Sequence, residues 1–264
     1  MAWGSISVGR IAFRAIVAAC VVFLLTPVVA VVLMSFSNST FITLPPKEWG
    51  TQQYASFIHS QRWITVTLRS FAIAVPVALG AVGLACLLVL GLHRTRIPYK
   101  EAIIAFCTVP LLVPGVALAI AIYDFFARIS LLDTFGGLVL AHTVHTLPIA
   151  VLVLWPAMRS ISPQLELVAM TLGAGRVRAW VGITLRLLVP SLLAAGIMAF
   201  LNSFDEATLA AFLTGPKTAT LPKEILDSVS TGVDPTITAI ATLLVFITAL
   251  LLATSELLRA RTRN

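Results

Sequence analysis

Six stretches of this chain are apolar over about the length that a helix needs to cross the hydrocarbon core of a bilayer. Only structures that satisfy every backbone polar group internally can span a membrane, so each stretch predicts a transmembrane helix. Of the 264 residues, 59% are hydrophobic and only 11% are charged. The sequence therefore predicts an all-α, polytopic membrane protein in which residues 1–264 form a single transmembrane domain. The six predicted spans are residues 16–34, 69–92, 102–123, 138–155, 191–213 and 237–258.

Charged residues are distributed unevenly among the segments that connect the predicted spans. With both termini in the cytoplasm, the cytoplasmic segments hold twelve of the 18 lysines and arginines and three of the 11 acidic residues. Such an excess of bases is what the positive-inside rule predicts for the cytoplasmic face. The net charge of +7 therefore reports topology, and we expect membrane lipid, not nucleic acid, as a partner. The twelve bases are Arg10, Arg14, Arg94, Arg96, Lys100, Arg159, Arg176, Arg178, Arg186, Arg259, Arg261 and Arg263.

The predicted cytoplasmic segment between spans 4 and 5 is polar, basic and too long for a simple turn. Ser162 suits a helix N-cap, Pro163 suits the first helical position, and Glu166 lies in the first turn, where the helix dipole favours an acid. Gly173 and Gly175 then end a helix of about ten residues. A short helix in this position predicts a docking surface for another protein.

Polar side chains inside predicted spans are costly to bury and usually face a cavity. Asp205 and Glu206 lie in the outer half of span 5, and Asn202 is one helical turn before Glu206. Asp124 closes span 3 next to Tyr123. These five residues predict an acidic, partly apolar site on a substrate pathway, suited to a cationic organic solute. The alternative is that the acids only mark the outer water boundary.

Two histidines, His142 and His145, share one face of span 4. Hydrogen bonding between helices is the simpler interpretation, and a place on the substrate pathway is the alternative. No cysteine or acid lies near them in the sequence, so we predict no metal site.

The middle of span 3 contains Pro110, Pro114 and Gly115. Membrane helices tolerate such breakers where buried neighbours or a wet cavity satisfy the freed backbone groups. We therefore expect a break in span 3.

The chain lacks the sequence features of an ATP-binding protein. No GxxxxGK[ST] phosphate loop is present, and no Ser/His/Asp arrangement is recognisable. We expect no catalytic residue and no cofactor bound by this chain.

Residues 166–174, ELVAMTLGA, resemble the EAA loop of permease subunits of bacterial ABC importers. Ala169 fits the second alanine of that motif, and residues 172–174 fit its L-G-A core. The loop as a whole would occupy residues 156–190. Three positions depart from the motif: Leu167 stands in place of glutamate next to Glu166, Val168 in place of the first alanine, and Arg186 in place of a proline.

A second block, after span 4, resembles spermidine/putrescine-type permeases. It comprises residues 204–206 at the end of span 5, followed by residues 213–216 and 220–222, and the V-P-G at 113–115 also fits. The resemblance covers nearly the whole chain. Because permeases for phosphonates, ferric iron, thiamine and opines share these blocks, the class of solute stays open between polyamines and these alternatives.

The resemblance implies a set of partners and a mode of action. The short helix would be a coupling helix that docks on an ATPase subunit, and the ATPase dimer would bind ATP and magnesium. A periplasmic solute-binding protein would deliver the solute, and a second permease subunit would complete a heterodimeric pathway. The chain would lie in the bacterial inner membrane with both termini cytoplasmic. The residues assigned to coupling are Glu166, Ala169, Leu172, Gly173 and Ala174.

Two other classes of function are alternatives to the importer. A membrane enzyme would use His142, His145 and Asp205 as acid and base groups, but the catalytic set is incomplete. An ion-coupled carrier would require inverted repeats with paired broken helices, and only span 3 carries the signals of a break.

Overall fold

The computed structural model describes residues 8–232 and 234–261, with side chains for 9–232 and 234–254. Within these ranges the chain is helical apart from its connections and one isolated β-bridge between Ser37 and Trp49. A 3-10 turn at Val109–Leu111 precedes α5, and a π-helical segment at Trp180–Leu185 joins α8 to α9. The helices are α1 (Val8–Ser35), α2 (Gln52–His59), α3 (Gln61–Arg94), α4 (Lys100–Thr108), α5 (Gly115–Arg128), α6 (Phe135–Arg159), α7 (Gln164–Thr171), α8 (Arg176–Ala179), α9 (Arg186–Phe204), α10 (Thr208–Leu213), α11 (Leu221–Thr231) and α12 (Thr236–Arg261).

Five helical segments of the described chain are long and apolar enough to cross a membrane. They are α1, α3, α6, the continuous segment Arg176–Phe204 and the Thr236–Thr254 part of α12. The helices α4 and α5 form a sixth span when taken as one, with a bend of 90° between them. The predicted all-α, polytopic architecture with about six spans is confirmed.

Two prolines explain the bend between α4 and α5. Pro110 lies in the 3-10 turn, and Pro114 precedes α5 with an extended backbone, φ −53° and ψ 130°. Neither proline has a backbone N–H to donate, so each interrupts the helical hydrogen-bond ladder. Val109, before Pro110, nevertheless keeps a helical conformation, φ −51° and ψ −40°. A Cβ on Gly115 would lie 3.7 Å from Thr208 at the start of α10, so α5 begins in contact with α10. The predicted break in span 3 is confirmed.

Span 5 differs from the prediction at both of its ends. The helical segment begins earlier, with α8, and it ends at Phe204, not at residue 213. The carboxylate of Glu206 accepts hydrogen bonds from the amides of Thr208 and Leu209, at 2.8 and 3.0 Å. A side chain that satisfies the first amides of a new helix competes with continuation of the preceding one, so α10 starts as a separate helix.

The described chain divides into two compact units. The first contains residues 8–61 with residues 228–232 and 234–247. In it, the hydroxyl groups of Ser35 and Tyr54 lie 2.7 Å apart, and the rings of Phe36 and Tyr54 have centroids 5.5 Å apart. These contacts hold the end of α1 against α2.

The second unit contains residues 62–227 with the described part of 248–264, and its larger core is built from α3, α4, α6 and α9. Ala81 and Ala85 of α3, Ala150 of α6, and Ala195 and Ala199 of α9 are fully buried there. Small side chains let membrane helices approach closely, so this core brings the polar faces of α6 and α9 together. A smaller apolar cluster joins α3, α5, α6 and α10.

Asp133, just before α6, holds the turn that follows α10. Its Oδ1 accepts hydrogen bonds from the amides of Gly215 and Thr218, at 2.9 and 3.1 Å, and from the Thr218 hydroxyl at 2.7 Å. Burial alone would raise the pKa of this carboxyl. The hydrogen bonds from Thr218 and from the backbone amides of 215, 217 and 218 outweigh burial and lower the pKa of Asp133 below its usual value.

We expect Asp133→Ala to destabilise this turn by about 2–3 kcal/mol, because a charged acceptor of three hydrogen bonds is removed. The pKa of Asp133 is lower in the folded protein than in the unfolded chain. The carboxylate therefore contributes fully to the free energy of unfolding above the unfolded pKa of about 3.9, and this contribution is lost as the pH falls through the folded pKa. The difference in melting temperature between the two proteins in detergent should therefore be constant near neutral pH and shrink below about pH 4. Asp133→Asn keeps Oδ1 and tolerates φ +50°, so it should lose less stability. A difference for Asp133→Ala that did not shrink in acid would contradict this assignment.

Candidate functional site

The helix predicted between spans 4 and 5 is present as α7. It begins at Gln164, one residue after the predicted Pro163, and Leu172 follows its last residue as C-cap. Ser162 lies at its start, where its Oγ is 3.4 Å from the amide of Gln164 and donates to Gln164 Oε1 at 2.8 Å. The helix has the predicted type and position, with a boundary shift of one residue.

The end of α7 is a Schellman motif centred on Gly173. The amide of Gly173 donates to the carbonyl of Met170 at 3.1 Å, and the amide of Ala174 donates to the carbonyl of Ala169 at 3.0 Å. Gly173 has φ +92°, a left-handed conformation that glycine adopts without steric cost. The glycine is therefore required by the backbone of the turn, which directs the chain from α7 into α8.

Glu166 faces back into the chain. Its Oε2 accepts a hydrogen bond from Arg94 at the end of α3, at 2.5 Å, and its Oε1 accepts one from the hydroxyl of Thr184 in the π-helical segment. The guanidinium of Arg94 also lies 5.8 Å from the centre of the Trp180 ring. Glu166 thus ties α7 to two spans, and its side chain is only 15% exposed.

Apolar side chains of α7 and of its C-cap residue are open. Leu167 and Val168 are exposed, and Leu172 at the end of the helix is 83% exposed. Ala169 and Ala174 are partly buried. Exposed apolar side chains grouped on a surface loop are typical of a surface that another protein covers.

The partners of Glu166 did not emerge from the sequence. In the sequence, Arg94 is recognisable only as one of the bases that indicate topology. No sequence pattern marks Thr184 or Trp180 as a residue near Glu166. Arg94 is far from Glu166 along the chain, and spacing within one element cannot reveal such a contact. A polar threonine in an otherwise apolar span is the one local sign that was available.

The histidines predicted in span 4 make polar contacts with residues of the neighbouring segment. His142 Nδ1 lies 3.0 Å from Ser203 Oγ, and His145 Nε2 lies 3.0 Å from Glu206 Oε2. Asn202 Nδ2 donates to Thr146 Oγ1 at 3.1 Å. Three polar contacts therefore connect α6 with the end of α9 and with the junction that follows it, as expected for hydrogen bonding between helices.

The two acids predicted for the substrate pathway have different environments. Glu206 uses both oxygens, one for the first amides of α10 and the other for His145. The side chain of Asp205 is exposed, and its carboxylate has no hydrogen bond or ion pair within the part of the chain that the structure describes. Although the helix ends between them, Asn202 and both acids line one cavity of about 410 Å³. Its other lining residues are Ile149, Met198, Leu201 and Leu252.

Tyr123 and Asp124 do not line this cavity. Both lie on α5 and are exposed, and Asp124 pairs with Arg128 one turn later, with a distance of 2.8 Å between Oδ2 and the guanidinium. The structure thus brings three of the five polar residues predicted for this pathway together at the cavity and leaves Tyr123 and Asp124 on a separate surface.

Comparisons with known proteins agree with this architecture, although no model of a known protein family matches the chain. The chain is 24% identical over 251 residues to the spermidine/putrescine transport system permease protein PotC of Escherichia coli K12, with 95% of each chain covered. It is 28% identical over 255 residues to the putrescine permease PotI of the same strain, with 90% of each covered. A third relative, the sulfoquinovosyl glycerol permease SmoH of Agrobacterium fabrum, is 27% identical over 75% of this chain and 72% of its own.

Solved structures show the same fold. A bacterial ABC transporter that imports the acidic polysaccharide alginate matches with a TM-score of 0.70 at 16% identity, over 96% of this chain and 95% of its own. The MetNI methionine ABC transporter matches with a TM-score of 0.59 at 15% identity, over 76% of this chain and 98% of its own. The chain is similar over nearly its whole length to permease subunits of ABC importers. This similarity and the apolar helices support a multi-pass inner-membrane subunit that transports a solute and is not an enzyme.

Proposed function

We propose that this permease passes a polyamine, or a related small cationic amine, from the outer face to the cytoplasm. Two of the relatives are named as permeases for spermidine and putrescine, and both match over at least 90% of their length. The observation in the chain itself that carries the proposal is Asp205, a carboxylate that lines a cavity and has no ion-pair partner among the described residues.

The cavity has the chemistry that a polyamine requires. Asp205 offers a negative charge to an ammonium group, and Asn202 offers an amide. The side chains of Ile149, Met198 and Leu201 supply apolar surface for the methylene chain between two amines. A neutral sugar would leave the carboxylate without its counter-ion.

In this proposal, a separate ATPase dimer that binds ATP and magnesium drives transport. The apolar outer face of α7 would dock on that ATPase, and Glu166 would transmit the movement of α7 to α3 and to the π-helical segment through Arg94 and Thr184. A periplasmic binding protein would deliver the solute, and a second, similar permease subunit would complete the pathway as a heterodimer.

The proposed orientation places both termini and α7 in the cytoplasm, and it rests on the distribution of bases. Arg94, Arg96, Lys100 and Arg176 line one cavity with residues of α7, and Arg159 ends α6 shortly before α7. The side chains of Arg259 and Arg261, and all of Arg263, lie outside the described residues, so their contribution stays a prediction from the sequence.

The experiment is to measure ATPase activity of the reconstituted complex with its binding protein, against a panel of solutes. The panel contains spermidine, putrescine, an aminophosphonate, a neutral sugar and ferric iron, each tested with the native chain and with Asp205→Asn. Stimulation by a polyamine that Asp205→Asn weakens is the expected result. Stimulation only by another solute would be consistent with an importer but would rule out a polyamine as its solute. Because the chain is similar to SmoH, the sugar is the most informative negative control.

A further inference from the structure

A second cavity lies at the other end of the second unit, between the end of α3, the connection to α4 and the start of α7. Its volume is about 690 Å³. We refer to it as the basic cavity, because the ionisable residues that line it are His93, Arg94, Arg96, Lys100, Arg176 and Glu166.

The positive charge of the basic cavity is largely uncompensated. Glu166 is the one acid among its lining residues, and Arg94 already pairs with it. Arg96, Lys100 and Arg176 form no ion pair within the range of residues that the structure describes. Three full charges therefore face one cavity with no partner from the chain, an arrangement that favours an anionic ligand.

The start of α4 adds to this field. The helix begins at Lys100, and its N-cap residue, Tyr99, has φ 63° and provides no side-chain hydrogen bond to the first turn. The amide end of an uncapped helix carries a partial positive charge and attracts anions. The wall of the cavity also includes apolar side chains, Ile161, Leu167 and Met170.

We propose that the basic cavity binds the phosphate headgroup of an anionic phospholipid. It lies where the candidate spans α3 and α6 end, which is where the membrane surface is expected. Basic pockets between transmembrane helices near that surface bind anionic headgroups. A soluble phosphate compound would share the charge but would gain nothing from the apolar wall.

A bound headgroup would connect the α3–α4 segment with α7. Arg96 and Lys100 come from the first and Arg176 from the residues after α7. The lipid would therefore hold the start of α7 in place together with the Glu166 ion pair. This inference does not depend on which solute the permease carries.

The test is to measure retention of lipid by the purified chain, by native mass spectrometry from bilayers that contain phosphatidylglycerol and cardiolipin beside phosphatidylcholine. We expect selective retention of the anionic lipids. Arg96→Gln with Arg176→Gln should weaken retention about thirtyfold, since two charges near the membrane surface are removed. The matched control is Arg14→Gln with Arg178→Gln, which removes two exposed bases that do not line the cavity and should retain the lipid.

Three results would overturn the assignment. Equal loss in both double variants would show general attraction to the membrane surface. Equally weak binding after the charge-preserving change Arg96→Lys with Arg176→Lys would show disruption of the structure. Binding of inorganic phosphate to the lipid-free protein in detergent, with the same dependence on Arg96 and Arg176 and no preference for anionic lipid, would identify a free anion as the ligand.

Discussion

Replacing Gly173 with alanine is expected to lower ATP-driven transport about tenfold, because an L-residue pays roughly 1–2 kcal/mol for the left-handed conformation that this turn requires. Gly173 has φ +92°, and its amide and that of Ala174 close the Schellman motif at the end of α7. To relieve the strain the turn must change, which moves Leu172 away from the surface that α7 presents. Gly173→Asp should be worse, because a negative charge at a helix C-terminus opposes the helix dipole.

Gly175 supplies the matched control two residues later. It has φ −64° and ψ 154°, which any residue adopts, and a Cβ there meets no atom within 4 Å. Gly175→Ala should therefore transport normally. Uptake into proteoliposomes and the amount of chain in the membrane should be measured for all three variants. Normal transport by Gly173→Asp, or equal loss in Gly175→Ala, would disprove the coupling role of this turn.

The sequence was informative where the deciding signals are local. The end of α7 follows from Gly173, and Pro163 marks its start to within one residue, since capping depends on residues within one turn. The bend between α4 and α5 follows from Pro110 and Pro114 for the same reason. Each of these features was predicted to within a few residues. The prediction of Ser162 as N-cap was wrong, because Pro163 occupies that position.

The break between α9 and α10 was not predicted, because no proline or glycine marks it. Residues 202–208 read NSFDEAT, and the helix ends there since Glu206 satisfies the amides of Thr208 and Leu209. An acid just before a helix start is a local sign of a helix N-terminus. The apolar stretch around Glu206 has the length of one membrane span, however, and this length favours a single continuous helix. The predicted common helical face of Asn202 and Glu206 was therefore wrong, although both line one cavity.

Contacts between distant segments were beyond the reach of sequence patterns. Glu166 was assigned to the coupling surface by its place in the motif, and the structure shows it bound to Arg94 and Thr184. In our proposal the exposed apolar residues of α7 form the docking surface instead. The coupling role of the helix itself stays a prediction that the Gly173 variants test.

Asp205 and Glu206 are adjacent acids, and we expect their substitutions to fail in different ways. Asp205→Asn removes a charge that has no partner within the described chain. The protein should fold normally, and the polyamine concentration for half-maximal ATPase stimulation should rise about tenfold, which is the size of effect expected from one lost charge contact. The maximal stimulated rate should change much less, because this carboxylate forms no hydrogen bond or ion pair with the described residues.

Glu206→Ala removes a group that the fold depends on. His145 and the amides of Thr208 and Leu209 each lose their acceptor, and the junction between α9 and α10 loses the side chain that defines it. We expect a loss of about 3–5 kcal/mol of stability, seen as a lower melting temperature in detergent, with a fall in the maximal rate for every solute that stimulates the native complex.

Glu206→Gln keeps the shape of the side chain and removes its negative charge. The amide oxygen can still accept hydrogen bonds from the first amides of α10, while the NH₂ group faces His145. It should be intermediate in stability and should leave the concentration for half-maximal stimulation close to the native value. If Glu206→Gln raised that concentration as much as Asp205→Asn did, both acids would contact the solute, and the cavity would recognise two ammonium groups. If Asp205→Asn lowered the melting temperature as much as Glu206→Ala, the carboxylate of Asp205 would be structural and the polyamine site would lie elsewhere.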